Sequence, residues 1–88
     1  MAWLRGRREA AERDGLAIQR AVDRFCATHP NEVTGAAIIR RDAHEVVVRV
    51  MYMAGHIPPH RAWYAVPDDG ADLRELSRDE SADDAPWR

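Results

Sequence analysis

The chain contains one cysteine, Cys26, and no lysine at all; its 13 basic residues are all arginine. A single cysteine excludes an internal disulfide, and that pattern fits a reducing compartment. Glycine is scarce, and Gly6, Gly15, Gly35, Gly55 and Gly70 never fall into a phosphate-binding loop pattern. The only serines, Ser77 and Ser81, lie close to the C-terminus and away from any histidine of a rigid element, so serine-nucleophile chemistry is not expected. Behind the basic start Met1-Ala2-Trp3-Leu4-Arg5-Gly6-Arg7-Arg8 there is no apolar run. Neither a signal peptide nor a transmembrane span is expected. Internal repeats are absent as well.

The arginine-only basic set, together with abundant Ala, Val and Asp, suggests a GC-rich bacterial genome. A bacterial, cytoplasmic protein is the expectation. At 88 residues the chain has room for one core, and 45% hydrophobic with 32% charged residues describes a soluble globular domain. Charge divides the chain. Residues 1–66 hold ten Arg against seven acids, a formal +3, and residues 67–88 hold three Arg against eight acids, a formal −5, giving the net −2. A basic body with an acidic end fits either a solubilising tail or a surface for an acidic partner with which the tail competes. We therefore expect a single α+β domain over residues 1–76 and a disordered acidic tail over residues 77–88.

From about Glu9 to Ala27 the apolar residues Ala11, Ile18, Ala21, Val22, Phe25 and Cys26 recur three and four apart, which predicts a long helix with those residues facing the core. Asp14-Gly15 is a weak point, where Asp14 offers the cap of a shorter helix. Thr28-His29-Pro30-Asn31 predicts the stop. Val33–Arg40 reads as a strand weakened by Gly35 and two alanines, and Glu45–Met53 as a central strand. In the latter, Val46, Val48, Val50 and Tyr52 form one apolar face, and Val47, Arg49, Met51 and Met53 a second. Arg41-Asp42-Ala43 is too short a link for anything but antiparallel neighbours. After the stiff Pro58-Pro59 loop, Arg61–Val66 predicts a third strand, ended by Pro67-Asp68-Asp69-Gly70. Ala71–Leu76 reads as a short helix or turn, or as a fourth, edge strand, with Leu73 and Leu76 touching the core. The expected architecture is a long N-terminal helix on a three-stranded, possibly four-stranded, antiparallel meander.

Candidate chemistry is thin. His56 and His60 have the spacing of a metal pair on a helix, but an extended Ile57-Pro58-Pro59 path holds the two rings about 12 Å apart. Cys26 and His29 have the spacing of a thiol and its base, yet no oxyanion-hole loop or third orienting residue accompanies them. Glu32, Asp42 and Glu45 read as turn and strand-start residues rather than an acid–base pair. No catalytic residue, cofactor or metal is expected. The element order is similar to that of double-stranded RNA-binding domains and of cystatin-like helix-plus-meander folds. The resemblance is in order alone, since the Lys-rich motif that opens the last helix of the RNA-binding family is missing. Arg49 and Arg61 beside Trp63 suit single-stranded nucleic-acid or small-ligand binding on that sheet face, which is the lesser alternative.

One helix cannot cover both faces of the sheet. Left over are Val47, Met51, Met53 and Trp63 as an apolar patch, with Arg49 and Arg61 to direct pairing. The expectation is a non-enzymatic interaction or accessory protein that homodimerises through its sheet, with a further protein partner as an option and no membrane association.

Overall fold

The computed structural model describes residues 2–55 and 59–78, with side chains from residue 12 onward. The order is α1 (Ala2–Thr28), β1 (Glu32–Arg41), β2 (Glu45–Met53), β3 (His60–Pro67) and β4 (Arg74–Leu76). The strands form one antiparallel sheet in the order β1-β2-β3-β4. The α+β class and the meander agree with the sequence reading; the strand count is four. Ala71–Leu76 forms no helix: Arg74–Leu76 pairs along β3 as an edge strand. The disordered tail expected from residue 77 onward falls, beyond Arg78, outside the described residues.

The helix begins earlier than the apolar periodicity suggests, at Ala2 instead of near Glu9, and it runs through Asp14-Gly15 without a break. Asp14 does not act as a cap, because its carboxylate is taken by Arg41 of β1. The stop is where Pro30 predicts it. The Thr28 hydroxyl donates within the last turn, lying 3.1 Å from the Arg24 carbonyl and 3.2 Å from that of Phe25, and the His29 amide closes on the Phe25 carbonyl at 2.8 Å.

The helix lies on the face of Val46, Val48 and Val50. Ala17, Ala21 and Phe25 descend from α1 to meet these valines together with Ala62, Tyr64 and Val66 of β3 and Leu73 before β4. Phe25, Val48 and Val50 have no exposure, and Ile18, Val22, Ile38 and Tyr52 border the cluster. Cys26, expected in the apolar stripe, is exposed. Ala17 and Ala21 take that role, because small residues let the helix sit close to the sheet.

Two irregularities shape β1. Its register against β2 shifts between Val33 and Gly35 and again between Ile38 and Arg40, so β1 bends as it follows the central strand. The second shift turns Ile39 toward the sheet face away from the helix, where it packs on Val47. At the far side, Gly70 adopts a positive φ of 80° in the turn after β3, a conformation in which a Cβ would be strained, and Asp69 accepts a 2.9 Å hydrogen bond from the Ala71 amide.

Phe25 is the largest contribution of the helix to this core. Replacing it with Ala lowers unfolding stability by about 3–5 kcal/mol, read as a reduced midpoint in urea titration with an unchanged slope.

Candidate functional site

The pleat and register decide which side chains share the uncovered face. Arg49 of β2 stands opposite Trp63 of β3, Met51 opposite Arg61, and Val47 opposite Ala65; on the outer strands Ala37 pairs with Arg49 and Leu76 with Trp63. All of these lie on the side of the sheet away from α1. The six residues singled out in the sequence, Val47, Arg49, Met51, Met53, Arg61 and Trp63, are thus brought onto one face. Of the Trp63/Tyr64 pair, Trp63 takes this face, while Tyr64 turns into the helix-side core.

Their exposure differs. Val47 is fully buried, packed with Ala65, Leu76, Ile39 and Trp63 in a second, smaller cluster. Arg49, Met51, Met53, Arg61 and Trp63 remain partly exposed. Val47 is the floor of this face rather than a residue a partner would touch. Two further arginines join the face, Arg40 opposite Val47 and Arg74 opposite Ala65. Sequence reading missed Arg40 because the β1 bulge sets its side, and missed Arg74 because the fourth strand was only one of two options. Arg74 lies 3.5 Å from Glu45 and Arg40 lies 3.3 Å from Asp42. Arg40, Arg49, Arg61 and Arg74 stand there against Glu45 of β2 and Glu32 of β1, the latter opposite Met53, so the face joins a net positive charge to its apolar residues.

The opposite side of the molecule uses its arginines differently. Arg41 makes a two-pronged contact with Asp14, at 2.9 and 2.5 Å, which ties the end of β1 to the middle of α1. Arg20 donates to the carbonyls of Pro67, at 3.3 Å, and Ala71, at 2.5 Å, bracketing the turn that Gly70 permits. Arg24 pairs with Asp72 at 2.5 Å. These contacts hold the turn before β4 against the helix, and so fix the edge strand that bounds the second face.

Histidine and cysteine are not gathered for chemistry. His29 stacks on Phe25 with ring centroids 4.4 Å apart and lies 2.8 Å from the Thr28 hydroxyl through Nδ1, while Cys26 is exposed. His60 stacks on Tyr52 at 5.4 Å. His56, the other half of the spacing pair, lies outside the described residues. Among the described residues no group of three or more His, Cys, Asp or Glu could hold a metal ion. Phe25, Tyr64 and the valines fill the space between helix and sheet. What remains are shallow surface grooves, one of about 170 Å³ between Arg13, Leu16 and Arg20 of α1 and Pro67–Gly70. The described helix is not long and apolar enough to cross a membrane.

Three groups are shifted from their ordinary values: Tyr64, Asp14 and Arg41, the last held up first by its hydrogen bond to Asp14. Burial pushes the Tyr64 hydroxyl up, helped by the nearby charge of Glu75; Thr28 and Arg24 oppose the shift. The hydroxyl is buried and makes no hydrogen bond of ordinary geometry, Thr28 included. Asp14 is held below the usual carboxylate range first by the hydrogen bond from Arg41; loss of solvent opposes this, and the charges of Arg41 and Arg13 add to the lowering.

Comparison of the chain with models of known protein families, with curated proteins and with solved structures found no match.

The Asp14–Arg41 contact carries a pH signature. Because the folded-state pKa of Asp14 is depressed, its contribution is complete above the ordinary carboxylate pKa and is lost as pH falls through the lowered one. Asp14→Asn is therefore less stable than the native chain at neutral pH, and the difference closes in acid; thermal melts of both proteins from neutral to strongly acidic pH measure the convergence.

Proposed function

We propose that the protein is a small non-enzymatic interaction module that homodimerises through its sheet, using the face away from the helix. One observation carries this reading: Arg49, Met51, Met53, Arg61 and Trp63 share a partly exposed surface over which no helix or strand among the described residues lies. Its composition supports contact with protein. Aromatic, Met and Arg side chains are those enriched where protein surfaces meet. The edge strand β1 adds a second incentive. It is ten residues long and its outer edge is unpaired among the described residues, so a neighbouring copy across the face would also shelter part of that edge.

The register gives one specific reason for a second reading. Arg49 is the direct cross-strand neighbour of Trp63, and Arg61 lies two residues before it, an arrangement of cation and stacking ring that suits an extended single-stranded nucleic acid. Against it stands the whole-chain charge of −2, which works against phosphate attraction.

Sedimentation at increasing protein concentration tests the dimer, and a purely monomeric boundary at high micromolar concentration would overturn it. The paired variants Arg49→Glu and Trp63→Ala, checked for retained fold by circular dichroism, separate the two readings. Each weakens dimerisation by about 2 kcal/mol, roughly thirtyfold, if the face is a protein contact. If the face holds nucleic acid instead, the dimer is unchanged and filter retention of single strands at low salt is lost.

A further inference from the structure

The two edges of the sheet are built differently. β4 is three residues long and carries charge, Arg74-Glu75-Leu76. β1 is ten residues long, and its residues 33–39 include neither a charge nor a proline. Shortness, charge, proline and bulges are the devices that keep an edge strand from pairing with another chain. Over that stretch β1 has only the last. Its two register shifts lie on either side of residues 35–38, which stay in regular pairing with β2 and, among the described residues, have no strand on their other side.

From this we infer that β1 pairs antiparallel with β1 of a second copy, joining two four-stranded sheets into one of eight strands with both helices on the same side. The inference goes beyond the contact through the second face: it names another contact between copies, made by backbone, that stands or falls by itself. Edge pairing leaves the two second faces side by side and open, so both contacts can be made at once.

Symmetry sets the register. A two-fold axis perpendicular to the sheet requires one residue of β1 to stand opposite itself. Ala36 is central to the regular stretch, and with Ala36 on the axis Gly35 faces Ala37 of the second copy. Both lie on the second face, as do Met51 and Arg49 opposite them on β2.

Two further observations favour a second copy as the occupant. The first is Glu32, which is exposed and has no hydrogen bond or ion pair among the described residues. In this register it comes beside Arg40 of the second copy, on the same face of the joined sheet. Arg40 keeps its contact with Asp42, and the pairing does not depend on displacing it. So exposed a pair sets direction more than strength, and it favours the antiparallel arrangement over the parallel one. The second is the helix. α1 crosses the sheet from the β4 side, where Arg24 meets Asp72, to the end of β1, where Asp14 meets Arg41. Residues 2–13 continue past that corner for about 18 Å. A helical stretch of this length is marginal in water without packing. Antiparallel pairing of β1 brings the Glu32 end of the second copy's sheet beside Arg41, on the helix side as well, so each helix extends over its neighbour.

The experiment uses the unmodified chain and follows exchange of backbone amides with deuterated water by NMR over a concentration series, with sedimentation of the same samples. Amides of β1 that are not bonded to β2 exchange from the free edge, so their rate follows the fraction of unpaired copies and falls about tenfold when about nine-tenths of the chain is paired. The expected result is this slowing, centred on Ala36, while the amides of Arg74, Glu75 and Leu76 at the other edge keep their rates. A dimer whose β1 amides exchange as fast as in dilute solution overturns the inference and leaves the face contact in place. Slowing of β1 while Met51, Met53 and Trp63 stay open to oxidation does the reverse: edge pairing stands and the face contact falls. A chain that stays monomeric at high micromolar concentration overturns both. Protection of the outer β1 amides that is already complete in the dilute monomer overturns edge pairing, by assigning the edge to another segment of the same chain.

Discussion

A sheet whose central strand is apolar on both faces, served by one helix, governs the whole molecule. Val46, Val48 and Val50 are sealed by Ala17, Ala21 and Phe25 of α1, and the helix is then spent. Val47, between two of these valines and pointing the other way, is buried by different means, in a cluster built from Ala65, Leu76, Ile39 and Trp63. Burying a valine or leucine side chain is worth about 1.5–3 kcal/mol. The second cluster therefore matters to a domain whose whole stability is expected to be about 5–15 kcal/mol.

The arginines follow the same division. On the helix side Arg20, Arg24 and Arg41 are structural ties, each meeting a carboxylate or turn carbonyls at a defined place. Such exposed pairs add little individually. Their effect is positional, since they tie the C-terminal end of β1 and the turn before β4 to the helix. On the other side Arg49 and Arg61 flank Trp63 at the middle of the face, where they set its charge. Lysine would serve the second purpose, but the planar fork of arginine suits both pairing with carboxylates and stacking on an indole.

Much of this was legible from residue spacing. Period-two alternation gave β2 with the bounds the structure has and assigned Val46 and Val47 to opposite faces, and the short Arg41–Ala43 link required the hairpin. Less legible were features decided by tertiary contact. Asp14 reads locally as a cap, but a two-pronged partner on β1 outweighs the cap and the helix continues through Gly15. Cys26 fits the helical period and still faces water, because the close approach is made by Ala17 and Ala21 one turn apart. The β1 bulge that brings Ile39 and Arg40 to the second face has no local signature. Leu73 and Leu76, read together as core contacts, part company: the first joins the helix-side cluster and the second the opposite one, as strand geometry before and within β4 requires.

If the second face is the working surface of the protein, its side chains must lose access to solvent as copies associate. Hydroxyl-radical footprinting of Met51, Met53 and Trp63 across a concentration series reads this directly, with Leu16 on the exposed side of α1 as the internal reference. The account predicts that oxidation of the two methionines and Trp63 slows as concentration rises while that of Leu16 stays constant. Equal and concentration-independent rates at all four positions would contradict it.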